Sequence, residues 1–418
     1  MSKYILIPDS FKGCLSSADI CGILAREIRR LQPEAEIHAI PVADGGEGTV
    51  DAFLSAVGGE RIPVSCRGPY GAELTAFYGL LPDGQTAVVE MAAAAGLPLV
   101  GSDRRVAAAT TYGVGQLMAH ALERGAKRIV LGLGGSATND GGCGASAALG
   151  AEFLDAQGHP FIPVGGTLKN ITHIRTEKMH PLLRQAEVIA MCDIDNPLCG
   201  ETGAAAVFGP QKGADRETVR LLDDGLRHLA EVIQRDLGLS LLALPGGGAA
   251  GGFGAGSAAF FSARLQMGIE TVLDLTDFDR LAAGADLVIT GEGRLDSQSL
   301  RGKVVIGVAR RAKSLGVPVA ALVGASETDV DAAYGAGVSG IFPINPAPVA
   351  LEDAMARCRR HLAFTAGNVL RFFAAAQKAG PCEINPTEKR SRHHKNRPLP
   401  DGQCRQHGRQ SGEKPPGH

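Results

Sequence analysis

Residues 129–154 read IVLGLGGSATNDGGCGASAALGAEFL, from Ile129 to Leu154: an apolar run, a glycine-rich loop and a small-residue stretch. The opening has the β-branched and leucine content of a buried strand, and the end reads as a small-residue helix. Between them Gly134, Gly135, Ser136, Thr138, Asn139, Asp140, Gly141 and Gly142 carry little beyond hydroxyls, an amide and an acid. Two needs produce such a loop. Either a phosphate-bearing ligand approaches the backbone closely, or the chain turns tightly and packs a helix hard against a sheet. A strand leading through a short loop into a helix is the unit of a parallel α/β sheet.

The same order recurs along the chain. YILIP precedes Asp9 and Ser10, AEIHAIPVA precedes Asp44, and EVIAMCDI precedes Asp195. ADLVITG precedes Glu292 and VPVAALVG precedes Ala325. SADICGILAREIRRL has helical apolar spacing, with Ser16 or Ser17 placed to cap it. LRGKVVIGVARRAKSLG reads as a loop, a helix and a stop at Gly316. Ligands of parallel sheets bind at the carboxyl ends of strands, where nearly all these polar loops fall. VSCRGPYGAELTAFYGLLPDGQTAVVEM is different: its Gly-Pro and Pro-Asp-Gly turns predict a hairpin or mixed sheet, with a second domain beginning near it.

Composition agrees with an α/β protein. The 418 residues suffice for two or three domains, 44% are hydrophobic, and there are 56 glycines and no tryptophan. A net charge of −2 gives no argument for nucleic acid or an anionic membrane as partner. The nine cysteines form no C-x-x-C pair, and such a scattered odd set predicts free thiols in a reducing compartment. MSKYILIPDS reads as a first strand and not as a leader, and no apolar run approaches the ~18–20 residues that span a bilayer. A cytoplasmic location is therefore expected. From about residue 377 the composition turns to Arg, His, Pro and Gly, too polar to offset its ordering entropy, so disorder is expected over 377–418.

Four glycine-rich loops and two polar strand ends gather candidate chemistry. ADGGEGT holds Asp44, Gly45, Gly46, Glu47 and Thr49, and the 129–154 loop supplies Gly134, Gly135, Ser136 and Thr138. CDIDNPLCGETGAAAVFGPQKGA carries Asp193, Asp195 and Lys212, and PGGGAAGGFGAGSAAFF contributes Gly247 and Gly248. Asp9, Ser10 and Lys12 follow the first strand, and Glu292, Arg294, Asp296 and Lys303 follow a late one. Phosphoryl transfer needs such parts: carboxylates for Mg²⁺, cations for the transferring group and an acceptor near the attacking hydroxyl. A Walker-type G-x-x-x-x-G-K-[ST] and a G-x-S-x-G elbow are both lacking, and Gly252, Gly254 and Gly256 do not form a dinucleotide fingerprint after a first strand.

Taken together, PDSFKGCLSS, PVADGGEGT, VVEMAAAAGL, GLGGSATNDGG, CDIDNPLCG with GAAAVFGPQKGA, GGGAAGG and LVITGEGRLDSQS closely resemble, in order, the bacterial glycerate kinase family. The resemblance covers about residues 3 to 375. Val305 stands where many relatives carry proline, and the chain beyond about Ala376 has no counterpart in the family's pattern. The resemblance implies ATP-dependent, Mg²⁺-assisted phosphorylation of D-glycerate to 2-phosphoglycerate. It also implies a Rossmann-like parallel-sheet domain from both chain ends (1–64 and 286–376), an inserted mixed-sheet α/β domain (65–285), and an active site in the cleft joining them. In such a domain the Asp9–Lys12 and Arg294–Asp296 loops can lie side by side at one sheet edge.

On this reading Lys12 or Arg294 neutralises substrate or phosphate charge, and Asp44 or Asp296 orients the hydroxyl. At least one of Asp193 and Asp195 holds the metal, with Asp195 slightly favoured. The glycine loops, Asp9, Ser10, Glu47, Lys212 and Glu292 bind substrate or phosphate, and which loop serves which ligand stays open. So do the catalytic base and the oligomeric state, a homodimer included. The rivals are a kinase forming 3-phosphoglycerate or acting on another small hydroxy acid, and a non-catalytic ligand-binding regulator.

Overall fold

The computed structural model describes residues 1–43, 45–297, 299–327 and 330–379. Asp44 and residues 380–418, most of the expected disordered tail, lie outside the described residues. In chain order the strands begin with β1 (Lys3–Leu6), β2 (Glu36–Ala39), β3 (Glu60–Arg67), β4 (Glu73–Leu80), β5 (Thr86–Glu90) and β6 (Arg128–Gly132). They continue with β7 (Glu152–Leu154), β8 (Pro160–Phe161), β9 (His173–Arg175), β10 (Glu187–Met191) and β11 (Arg264–Gln266). The last three are β12 (Leu287–Leu295), β13 (Val319–Ser326) and β14 (Gly340–Pro343).

The first sheet runs β14-β13-β12-β1-β2 and is parallel throughout. Its strands come from both chain ends. From β1 the chain proceeds one way to β2, and from β12 it proceeds the other way through β13 to β14. The β1/β12 pair, with Leu6 opposite Ile289, is therefore the topological switch point, where a crevice opens beyond the strand ends. These two strands sit inside the sheet and not at its edge, so the expected adjacency of their loops is found at the centre.

Each central strand is buried on both faces, as a parallel sheet requires. Tyr4 and Leu6 join one cluster with Leu287, Ile289 and Leu322, covered by the helices Ser17–Leu31 and Leu351–Ala379. Cys358, Leu362, Ala366, Val369 and Leu370 form the buried stripe of the second helix, at helical spacing. Ser16 caps the first by accepting from the Asp19 N–H. On the other face Ile5, Ile7 and Val288 share a cluster with Val304, Val305 and Val308 of the helix Val304–Ser314. Val305 is fully buried there, one residue after the helix begins.

The second sheet, β11-β10-β6-β5-β4-β3, is mixed: β3, β4 and β5 form an antiparallel meander and the rest pair in parallel. Val88, Val130 and Met191 from this sheet enter the same cluster as Ile5 and Val288, so one apolar layer lies between the two sheets. A third, three-stranded sheet, β8-β7-β9, is small and antiparallel.

Three local expectations change. The small-residue helix after the glycine loop is only Cys143–Ala148, and Glu152–Leu154 turns back as β7. The strand expected to stop before Glu292 continues to Leu295, because Glu292, Arg294 and Leu295 still pair with β13. The helix Ala249–Phe261 opens with Ala250, Gly251 and Gly252 in left-handed backbone conformations.

Candidate active site

A cleft of about 850 Å³ faces the carboxyl ends of β1, β12, β13 and β14 on one side and of β6 and β10 on the other. On the first wall the Asp9 N–H donates to the Gly291 carbonyl at 2.8 Å, extending the β1/β12 register one step past β1. The following turn is closed by reciprocal bonds between Phe11 and Leu15, at 2.9 and 3.0 Å, and carries Lys12. The Asp9 carboxylate accepts from the Ser10 N–H at 2.6 Å, and Asp9, Ser10, Phe11 and Lys12 line the cleft.

Glu292 is the deepest charged group on this wall, 7% exposed, and its Oε1 has no hydrogen-bond partner among the described residues. Burial pushes its carboxyl up to about 7. Asp9 and Asp296 push the same way, while a hydrogen bond from Ser299 and the charge of Lys303 oppose them. A buried acceptor left unmatched is costly, so such atoms mark places where a ligand completes the bonding. Asp296 is held by a local turn, its Oδ1 accepting from the Ser299 N–H at 3.1 Å. Arg294 lines the cleft, but its guanidinium donates to Glu327 at 2.9 Å and its side chain is 65% exposed.

The second wall is the glycine loop after β6. A side chain at Gly134 would meet the Gly46 Cα at 2.6 Å, and one at Gly132 would meet the Gly45 carbonyl oxygen at 2.4 Å. The Gly134 N–H donates to that Gly45 carbonyl at 2.9 Å. These glycines are therefore required by one loop packing on another, and the next residues, Gly135 and Ser136, present the loop to the cleft.

Behind Ser136 lies Lys212, only 3% exposed, whose ammonium donates to Ser136 Oγ and to the Thr138 carbonyl, both at 2.7 Å. Burial brings its pKa down to about 7, against the attraction of Asp140. Two of its three N–H donors are used, and the side chain lines the cleft. Asp140 is fully buried, which raises its pKa. Hydrogen bonds from the Thr111 N–H and hydroxyl and from the Gly142 and Gly144 N–H groups oppose that rise.

The structure thus brings Asp9, Ser10, Lys12, Gly134, Gly135, Ser136, Asp193, Lys212, Glu292, Arg294 and Asp296 to one cleft. Gly45, Gly46, Glu47, Thr138, Asp195, Gly247 and Gly248 do not line it. Gly45 and Gly46 support the glycine loop from behind, and the Gly248 N–H is taken by the Asn196 carbonyl at 3.0 Å. Asp193 and Asp195 lie beyond the end of β10 at Met191, so strand alternation no longer governs them. Asp193 reaches the wall, its Oδ1 accepting from the Gly268 N–H at 2.7 Å. Asp44 lies outside the described residues. Sequence reading assigned no role to Asn139, fully buried with its amide unpartnered among the described residues, or to Asp140. Their signal was a polar pair set among glycines just before a helix, which sequence alone reads as turn chemistry.

The glycerate kinase family model matches residues 4–374. The glycerate kinase of Halalkalibacterium halodurans is 46% identical over 85% of this chain and 94% of its own length. Escherichia coli glycerate 2-kinase is 42% identical over 84% of this chain and 93% of its own. The crystal structure of a Salmonella typhimurium LT2 protein assigned as glycerate kinase 2 superposes with a TM-score of 0.79. It is 42% identical, covering 90% of this chain and 99% of that one.

Proposed function

The chain belongs to the glycerate kinase family, a phosphotransferase with an alcohol acceptor and ATP as co-substrate, and on that premise we propose that its cleft phosphorylates D-glycerate to 2-phosphoglycerate. One observation carries the site assignment: a buried Glu292 carboxylate with an unpartnered Oε1 shares the cleft with the Lys212 ammonium. An acceptor for a hydroxyl proton and a cation for phosphate are the two groups that phosphoryl transfer most needs from a protein.

In this reading the C2 hydroxyl of glycerate lies against Glu292. Its oxygen bonds to the γ-phosphorus of ATP, the bond to the β,γ-bridging oxygen breaks, and the hydroxyl proton passes to Glu292. A carboxyl of pKa near 7 is matched to that task at neutral pH. Lys212, fixed by Ser136 and Thr138, neutralises phosphate charge with little reorganisation, and Lys12 acts from the opposite wall. Asp296 and Arg294 orient the substrate at the mouth.

Mg²⁺ keeps several waters and takes one or two carboxylates beside phosphate oxygens. The donor set suits that habit. Among the described residues no three ligand-type side chains converge, while Asp193 stands in the wall. Asp193 would hold the ion, which when bound neutralises charge on the phosphates. The division into a body formed by both chain ends and an inserted body is part of the same proposal, with the cleft between their sheets. A ³¹P spectrum of the product made from ATP and D-glycerate tests the substrate and the hydroxyl assigned to it.

A further inference from the structure

Two thiols, Cys14 and Cys358, line the cleft. Cys14 follows Lys12 and Gly13 in the closed Phe11–Leu15 turn, and it is partly exposed. Its Sγ donates to the Met355 carbonyl of the helix Leu351–Ala379 at 3.3 Å. A side chain added at Gly13 would meet Met355 Cε at 3.1 Å, so the turn rests directly on this part of the helix.

Cys358 lies one helical turn further along. Helical side chains lean toward the N-terminus, over the turn before their own Cα, so Cys358 leans back toward Met355, where Cys14 already sits. Cys358 is part of the apolar cluster against which Cys14 packs. Cys358 is 4% exposed, and both residues line the cleft.

We propose that Cys14 and Cys358 form a two-electron oxidation site whose disulfide ties the Lys12 turn to the helix Leu351–Ala379 and stops turnover. The oxidant is a peroxide. The partly exposed Cys14 sulfur attacks one peroxide oxygen, the O–O bond breaks, and a sulfenic acid and one water form. The Cys358 sulfur then attacks the Cys14 sulfur, the S–O bond breaks, and a second water leaves. Two thiols are oxidised and one hydrogen peroxide is reduced to two waters. Burial pushes the Cys358 thiol up to about 12, which makes it the slower, resolving partner. The joined segments both border the cleft, so the cross-link removes relative movement between the turn bearing Lys12 and the helix Leu351–Ala379 on which it rests.

The full chain is treated with hydrogen peroxide, its remaining thiols are alkylated, and it is digested without reductant for peptide mass mapping. A peptide pair joined through Cys14 and Cys358 is expected, together with loss of turnover that dithiothreitol restores. Cys14→Ser and Cys358→Ser each abolish the joined peptide and the peroxide-dependent loss. Cys192, also in the cleft wall, is the comparison thiol. No Cys14–Cys358 peptide while Cys14 is oxidised further, or a cross-link to Cys192 or Cys21 instead, overturns the site. The cross-link without loss of turnover overturns its control of the cleft. The mass readout does not depend on which hydroxyl the enzyme phosphorylates, so it stands apart from the substrate assignment.

Discussion

The Lys212 ammonium nitrogen lies 2.7 Å from Ser136 Oγ, across 76 residues of chain, in a wall that leaves the lysine 3% exposed. A buried cation is expensive unless something repays its desolvation. Here the partners are a hydroxyl and a carbonyl, and the remaining donor is available to an anion in the cleft.

Lys212→Met keeps the volume and removes the charge. Turnover is expected to fall by roughly 10²-fold or more, and the melting temperature to fall modestly, because the change leaves the Thr138 carbonyl without its donor and buried Asp140 without the charge that attracts it. Steady-state kinetics and calorimetry on the same preparation check this. A large drop in stability with normal kcat/KM would make Lys212 a structural residue.

Glu292 gives a pH signature. If its carboxylate accepts the hydroxyl proton, kcat/KM falls as pH drops through about 7, and Glu292→Gln removes that limb along with most of the turnover. Stability carries the opposite sign. A carboxyl raised in the fold stabilises it below the ordinary glutamate range, near 4.5, and that contribution is lost as pH rises through about 7. The melting temperature of Glu292→Gln relative to the parent should therefore be more favourable at pH 8 than at pH 5.

Asp193 and Asp195 separate in a Mg²⁺ titration. Asp193→Asn should raise the Mg²⁺ concentration needed for half-maximal rate, and Asp195→Asn, away from the cleft wall, should not. Equal curves for Asp193→Asn and the parent would remove the carboxylate from the metal site.

Gly134 and Gly125 distinguish packing from backbone freedom. A side chain at Gly134 meets the Gly46 backbone at 2.6 Å. Gly125 has open space around it but a φ of +96°. Gly125→Ala should cost about 1–2 kcal/mol through its left-handed backbone. Gly134→Ala should cost as much or more, about 1–3 kcal/mol from overpacking, and should also lower turnover by shifting the loop that presents Ser136. Urea unfolding and kinetics on both variants check the contrast.

Much of this arrangement was readable because its signals are local. The runs YILIP, RIVLGLG and VPVAALVG are apolar, bounded by turn residues, and fall on β1, β6 and β13. The long motifs carried the family resemblance independently of any periodicity. What escaped depends on distant partners. Glu292 continues β12 because β13 lies beside it, although Gly291–Arg294 has no strand-like alternation of its own. Lys212 sits in Pro-Gln-Lys-Gly, which resembles a surface turn, and only the fold reveals that it is buried and bound to the glycine loop. The purpose of Gly134 likewise appears only when Gly45 and Gly46 are brought against it.

The proposed reaction is phosphoryl transfer in this cleft to the C2 hydroxyl of D-glycerate. A proton-coupled ³¹P spectrum of the reaction with ATP and D-glycerate tests it most directly, because the phosphorus of a C2 ester couples to a single carbon-bound proton and that of a C3 ester to the two protons of the methylene. A glycerate-dependent phosphomonoester signal split into a doublet is expected, appearing as ATP is converted to ADP. A triplet, or ATP left unchanged in the presence of D-glycerate, would contradict it.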